Sequence, residues 1–171
     1  MDLKIYQENA QRTMNWSLES NVQLASMALG IAGETGEVFK VVKTDGENAE
    51  KIKDEASDIF WYAANTCTLL SLDWRTLFPT EYKIKAPYTT MADASIYAAE
   101  VADTVKKTVA QRHVLDIEKI VESLQGLIDC LCRVLAYYNL TPQEVCAYNQ
   151  QKLLRRFPEG FEASRSINRE E

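Results

Sequence analysis

The sequence predicts an all-α protein that folds as an antiparallel bundle of helices joined by short loops. Its 171 residues include only 6 Gly and 4 Pro, and long stretches contain neither, which favours helices over a turn-rich β fold. Apolar residues recur at steps of three and four, the spacing of one helix face. Hydrophobic residues make up 46% of the chain, enough for a substantial core. We therefore expect one domain that spans residues 1–171.

The predicted helices follow one another along the chain with turns between them. They cover residues 2–15, 21–43, 49–72, 91–109, 116–138 and 141–156. The last helix is expected to begin with Thr141 as its N-cap and Pro142 in its first turn. Residues 44–48 contain Asp-Gly and form a predicted turn, whereas Pro79 and Pro87 interrupt the helical pattern before the fourth helix. The polar tail that follows the last helix is expected to be extended.

Charge and composition argue against several classes of function. The formal net charge of −6 disfavours a nucleic-acid groove, which requires a basic surface. No apolar run is long enough to predict a membrane span, and residues 1–13 are too polar for a secretory signal. The single His113 lies in a polar connector, so histidine chemistry is not expected. Four cysteines lie in apolar helical patterns without metal-ligand or disulfide spacing, which predicts a reduced, cytoplasmic setting: Cys67, Cys130, Cys132 and Cys146.

Two pairs of acids at helical spacing lie within residues 28–62. They are Glu34 with Glu37, and Glu55 with Asp58. Each pair shares a helix face with apolar residues, so the carboxylates are expected to face the core. Buried ionised carboxylates without partners are costly, and four that converge raise one another's pKa values. Positive charge is therefore expected among them.

That positive charge can come from a metal ion or from basic side chains. Of the lysines nearby in sequence, only Lys51 falls on a carboxylate face. Oxygen ligands without His or Cys select hard cations, which predicts Mg²⁺, with Mn²⁺ as a possible substitute. Such an ion completes its shell with waters and substrate phosphates, which indicates phosphoryl chemistry. A purely structural acid cluster is the alternative.

Three glycines lie at steps of three on the first acidic helix: Gly30, Gly33 and Gly36. Glycine inside a helix costs about 1 kcal/mol relative to alanine. This spacing predicts that another backbone or a ligand approaches the helix closely.

The chain also shows a weak internal repeat. A shift of about 66–68 residues places the helix pair of residues 91–138 on the pair of residues 21–72. Glu100 and Asp103 then correspond to the first acid pair, but Ser123 and Gly126 replace the second. The second copy keeps the helical frame and loses half of the acids. A chance match between two amphipathic helix pairs is the alternative.

Three ordered motifs resemble those of the MazG-like, all-α nucleoside triphosphate pyrophosphohydrolases. The family's mark is ExxE, a spacer and ExxD, which is similar to residues 33–37 followed by residues 55–58. The run YQENAQRT at residues 6–13 resembles the family's first helix. Residues 149–161 resemble its closing segment, NxxKLxxRYPxGF. Together these motifs span nearly the whole chain.

The resemblance implies hydrolysis of a (deoxy)nucleoside triphosphate between the α- and β-phosphates. It implies that Glu34, Glu37, Glu55 and Asp58 hold Mg²⁺. It also implies that one glutamate of the first pair, Glu37 in the first place with Glu34 as the alternative, orients or deprotonates the attacking water. Five further residues are candidates for substrate contacts: Tyr62, Asn65, Lys152, Arg156 and Trp16. For the two basic residues a solvated helix face is the alternative, and for the tryptophan a capping role between helices.

The chain is longer than the typical four-helix members of the family. It is similar in this respect to the internally duplicated dimeric dUTPases, which implies one metal-triphosphate site per chain. A homodimer is expected, and a single duplicated chain that forms the bundle alone is the alternative. No site is expected at Glu100 and Asp103, with which Lys107 is expected to pair. The preferred base stays open. A non-catalytic nucleotide- and metal-binding regulatory relative and a structural helical oligomerisation module are the competing hypotheses.

Overall fold

A computed structural model describes residues 1–46 and 48–167 of the chain. The regular secondary structure in these ranges is helical. Seven α-helices lie in these ranges: α1 Leu3–Ala10, α2 Ser20–Thr44, α3 Ala49–Leu69, α4 Pro87–Gln111, α5 Ile117–Tyr137, α6 Pro142–Arg156 and α7 Ala163–Ile167. Two short 3-10 turns, Gln11–Thr13 and Trp74–Leu77, accompany them. The described ranges contain no strand, and the all-α prediction is confirmed.

Side-chain caps explain where several helices begin. The Asn48 side chain accepts a hydrogen bond from the Lys51 backbone N–H at the start of α3. Asp116 caps α5 in the same way. Thr141 and Glu144 form a reciprocal capping box at the start of α6, which confirms the predicted N-cap. Local sequence therefore determines these three helix starts.

Three predicted helix boundaries differ from the observed ones by three residues or more, and the predicted tail differs as well. The first helix passes into a 3-10 turn after Ala10. Helix α3 ends at Leu69 because Ser71 adopts a left-handed conformation, with φ of 57°, and the Leu72 N–H turns back to the Cys67 carbonyl. Helix α4 begins earlier than predicted because Pro87 suits a first helical turn. The tail, expected to be extended, contains the short helix α7.

The helices form two antiparallel pairs. Helix α2 packs against α3, and α4 packs against α5. The two pairs meet through α2 and α4, and the Phe39 ring near the end of α2 lies 5.2 Å from the Tyr88 ring at the start of α4. This contact shows that α2 and α4 also run antiparallel. Helices α1 and α6 pack on the outer side of α3 and on each other.

An aromatic cluster joins α1 and α3 to the segment between α3 and α4. Trp74 is fully buried, and its ring lies 5.1 Å from Tyr6, 5.8 Å from Phe60 and 4.8 Å from Phe78. The indole N–H of Trp74 donates to the Leu3 carbonyl. These contacts make the prolonged connection before α4 part of the core. No helix in the described ranges is long and apolar enough to cross a membrane.

Two glycines allow close packing within the helix pairs. A Cβ on Gly30 of α2 would lie 2.2 Å from the Tyr62 ring of α3, and one on Gly126 of α5 would lie 2.5 Å from the Tyr97 ring of α4. At Gly33 and Gly36 a Cβ would meet none of the described atoms within 4 Å. Among protein atoms, the expected close approach therefore occurs at one glycine of the three, and its partner there is an aromatic side chain rather than a backbone.

Substitution by alanine distinguishes the glycine that packs against a ring from those with open space around them. Gly30→Ala is expected to lower the free energy of unfolding by about 1–3 kcal/mol, since the Tyr62 ring must move. Gly36→Ala is the matched control on the same helix and should raise the free energy of unfolding by roughly 0.5–1 kcal/mol, the helix-propensity gain. Urea unfolding followed by circular dichroism measures both. Equal effects at the two positions would contradict the packing described here.

Candidate metal centre and adjoining cleft

Three of the four predicted metal ligands converge between α2 and α3. Glu34, Glu37 and Glu55 each present a carboxylate oxygen, and these three atoms all lie within 4.8 Å of one another. The first two are one helical turn apart on α2, and antiparallel packing brings the third from α3. Glu37 is exposed, whereas Glu34 and Glu55 are half-buried. The group therefore opens to solvent on the Glu37 side.

The electrostatics of this group favour a bound cation. Burial, and then the negative charges of Asp58, Glu37 and Glu55, raise the pKa of Glu34 from 4.5 to about 7. Burial and then Glu37 also raise the pKa of Glu55. The neighbouring carboxylates thus make ionisation of Glu34 and Glu55 less favourable. A divalent cation among them would remove this repulsion, and an oxygen-only donor set suits Mg²⁺ or Mn²⁺.

Asp58, the fourth predicted ligand, is paired with the closing helix instead. Its Oδ2 lies 2.7 Å from the Lys152 ammonium nitrogen of α6, which is also 2.7 Å from Asp54 Oδ1. Asp58 Oδ1 accepts a hydrogen bond of 3.3 Å from Asn149 Nδ2. Burial raises the pKa of Asp58, and the Lys152 charge opposes that shift. Burial disfavours the ammonium of Lys152, but Asp58 and Asp54 raise its pKa above the usual value.

A buried hydrogen-bond network holds the Asp58 carboxylate on the side of the core. The Tyr6 hydroxyl of α1 donates to Asn149 Oδ1 at 2.8 Å, and Asn149 Nδ2 also donates to Ser57 Oγ at 3.2 Å. Ser57 Oγ donates in turn to the Asp54 carbonyl at 2.6 Å. All three of these side chains are buried, and burial keeps the pKa of Tyr6 well above its ordinary value, so the hydroxyl remains a donor. The network ties α1, α3 and α6 together at the acids.

A cleft of about 290 Å³ adjoins the acids. Glu34 and Asp58 form part of its wall, together with Arg156. Aromatic and amide side chains line much of the rest: Trp61, Tyr62, Phe157, Phe161, Asn15 and Gln23. The Trp61 indole N–H donates to Thr13 Oγ1 at 2.8 Å, which fixes the ring. The cleft offers flat apolar surfaces and amide groups next to a carboxylate cluster.

The predicted substrate contacts separate into three groups. Tyr62 and Arg156 line the cleft. Lys152 lies beside the acids and pairs with them. Asn65 is fully buried, donates to the Trp61 carbonyl and is not part of the cleft wall. Trp16 is 52% exposed, donates to the Gln11 carbonyl at 2.9 Å and also lies outside the cleft wall.

The sequence-based prediction missed several residues that the structure brings to this region. Asp54 lies one helical turn before Asp58, a spacing that already placed it on the same face. Asn149 was part of the closing motif, but its contact with the acids depends on how α6 docks. Phe157 and Phe161 follow α6, and no local signal indicates that they reach the cleft.

The second helix pair lacks a comparable acid group among the described residues. Asp103 forms ion pairs with Lys106 and, at 2.6 Å, with Lys107. The expected pairing of Lys107 is thereby confirmed for Asp103. Glu100 accepts a hydrogen bond of 3.1 Å from Ser123. The Tyr97 ring covers Gly126, the position that the predicted repeat aligns with Asp58.

Replacement of Glu34 tests the charge repulsion. The raised pKa means that the folded protein holds this proton more tightly than the unfolded chain, so stability falls as pH rises from about 4.5 to about 7. In buffer with EDTA, Glu34→Gln should therefore melt at a higher temperature than the wild type above pH 7 and converge with it below about pH 4.5.

Glu8→Gln, at an exposed position of α1, is the control and should show no pH-dependent difference from the wild type. A constant difference between Glu34→Gln and the wild type across this pH range would contradict a raised pKa at Glu34.

Removal of the Tyr6 hydroxyl tests the buried network. Tyr6→Phe leaves Asn149 Oδ1 buried without this donor and is expected to lower the free energy of unfolding by about 1–3 kcal/mol. Tyr137→Phe, at a 52% exposed ring, should change it by less than about 0.5 kcal/mol. Urea titrations compare the two, and an equally small effect at both positions would argue against the network.

Comparison with protein-family models, with curated proteins and with solved structures finds no match to this chain. Function must therefore be inferred from the residues of the carboxylate group and of the cleft beside it.

Proposed function

We propose that this protein is a Mg²⁺-dependent (deoxy)nucleoside triphosphate pyrophosphohydrolase of the MazG-like type, which converts a triphosphate and water into a monophosphate and pyrophosphate. One observation supports it above the others: Glu34 belongs both to the three-carboxylate group and to the wall of the aromatic cleft. A metal-bound phosphate and a nucleoside would therefore lie next to each other. The proposal includes a homodimer, as the family resemblance implies, and a cytoplasmic setting, which the four free cysteines support.

The donor set fits the proposed metal. Glu34, Glu37 and Glu55 would hold Mg²⁺ or Mn²⁺ through oxygen atoms alone, with Asp58 as the further candidate ligand. The metal would neutralise negative charge on the phosphate oxygens during the reaction. The raised pKa values of Glu34 and Glu55 support this assignment, because the same repulsion that disfavours their ionisation favours a cation between them.

The chain's own side chains would position the triphosphate and the water. Arg156 lies in the cleft wall, where its guanidinium can donate to phosphate oxygens. Glu37 is the exposed member of the carboxylate group, so a water molecule can reach it from solvent. That water attacks the α-phosphorus, its proton passes to Glu37, and the bond to the oxygen that bridges the α- and β-phosphates breaks. Pyrophosphate then leaves with the bridging oxygen.

The cleft wall suits a nucleobase. Tyr62 and the fixed Trp61 ring come from α3, and Phe157 and Phe161 come from the segment after α6. Aromatic faces accept any base by stacking, whereas side-chain amides can hydrogen-bond to its edge. Asn15 and Gln23 provide such amides in the same wall. The combination supports a nucleoside rather than inorganic polyphosphate as the substrate.

Pyrophosphate release tests the proposal directly. The purified protein is assayed with Mg²⁺ over a panel of ribo- and deoxynucleoside triphosphates, and at least one should be hydrolysed to monophosphate and pyrophosphate. Glu37→Gln should reduce this rate by about 100-fold or more, as expected for loss of a general base. Glu8→Gln on α1 is the control and should keep the wild-type rate.

If the wild type and Glu37→Gln are equally inactive on every nucleotide, the enzyme proposal is wrong. A thermal shift then separates the two competing hypotheses. Stabilisation by Mg²⁺ together with a non-hydrolysable triphosphate would indicate a nucleotide-binding regulatory protein, and no shift would indicate a structural module.

A further inference from the structure

Lys152 forms a second ionic group beside the three-carboxylate group. Its ammonium nitrogen lies 2.7 Å from both Asp54 Oδ1 and Asp58 Oδ2. The three side chains are 24%, 39% and 27% exposed, so solvent screens this pair of contacts only in part. Lys152 therefore provides positive charge at the acids without any bound metal.

Both oxygens of Asp58 are engaged in this arrangement. Oδ1 accepts from Asn149, and Oδ2 accepts from Lys152. Asp58 nevertheless lies in the wall of the same cleft as Glu34, a member of the three-carboxylate group. Each oxygen keeps a second lone pair for a cation, so the partner that gives way is the one that the cation repels.

The two partners differ in how easily they can be replaced. Asn149 is fully buried and also bonded to Tyr6 and Ser57, so its withdrawal would break a network in the core. Lys152 has a long flexible side chain and a second carboxylate, Asp54, within reach. A cation that approached Asp58 would also repel the ammonium group. Lys152 is therefore the partner that exchanges.

We propose that Lys152 is an internal counter-cation that competes with the divalent metal for Asp58, and that Asp54 retains Lys152 when Asp58 is released. This inference rests on the metal centre of the proposed function. The exchange stabilises the metal-free acids and lowers the affinity of the free protein for metal. Asn149 keeps the Asp58 carboxylate in position throughout.

Metal binding without nucleotide tests the competition. Free Mn²⁺ is measured by electron paramagnetic resonance during titration of the wild type and of Lys152→Met at constant pH and ionic strength. Lys152→Met should bind Mn²⁺ roughly tenfold more tightly, equivalent to about 1.4 kcal/mol. Arg155→Met is the matched control, because it removes one positive charge from the same helix at an exposed side chain that forms no ion pair among the described residues. It should change the affinity by less than about twofold.

A double-mutant cycle tests the role of Asp54. Asp54→Asn should weaken Mn²⁺ binding in the wild-type background. Of the two carboxylates that hold Lys152, only Asp58 then remains, so Lys152 competes with the metal more strongly. In the Lys152→Met background the same substitution should have a clearly smaller effect. Equal effects in the two backgrounds would overturn the role of Asp54.

The outcomes distinguish this inference from the proposed function. If the wild type binds Mn²⁺ and releases pyrophosphate but a folded Lys152→Met variant binds no more tightly, the counter-cation role is wrong and the enzyme proposal stands. If neither protein binds Mn²⁺ in the titration, the metal centre is wrong and both proposals fall. Circular dichroism spectra confirm that each variant is folded.

Discussion

The packing of α2 against α3 is the constraint on which the rest of the site depends. It holds Glu55 beside Glu34 and Glu37, although three carboxylates at this distance repel one another. The helices stay together because the same interface buries apolar side chains such as Ile31 and Ile59 completely. The apolar core thus maintains a cluster of like charges that would otherwise separate. Because apolar burial holds the carboxylates together against their mutual repulsion, a cation placed among them would lower the electrostatic energy of the group.

Helix α6 supplies both side chains that contact the Asp58 carboxylate from outside α3. It carries Asn149 into the core, where its side-chain amide accepts from the Tyr6 hydroxyl and donates to one oxygen of Asp58. It also carries Lys152 to the other oxygen of the same carboxylate. One oxygen of Asp58 is therefore held by a buried neutral network and the other by a positive charge.

The two helix pairs share one packing contact but differ in the contacts of their acidic side chains. In each, an aromatic ring lies against a glycine of the facing helix, Tyr62 on Gly30 and Tyr97 on Gly126. In the first pair the acids face one another across the interface. In the second pair the ring covers Gly126, which the predicted repeat aligns with Asp58, and Asp103 forms ion pairs within its own helix. The two acids of the second pair therefore already have partners within it, Asp103 with Lys107 and Glu100 with Ser123.

Much of the fold follows from local sequence. Helical periodicity, the caps at Asn48, Asp116 and Thr141, and the low content of glycine and proline are local signals, and they predicted the bundle. The errors at helix ends arose where a few hydrogen bonds decide the boundary, as at the end of α3.

The sequence by itself determined which residue types stand one turn apart on each helix, and so it identified the four acids and the faces they share with apolar residues. Only the tertiary structure decided which helix each face meets. The spacing of residues along a helix gives the direction of each side chain around that helix axis, but it does not tell which other helix lies in that direction. For this reason Lys152 proved to be a partner of Asp54 and Asp58, Asn65 lies in the core, and Phe157 and Phe161 line the cleft.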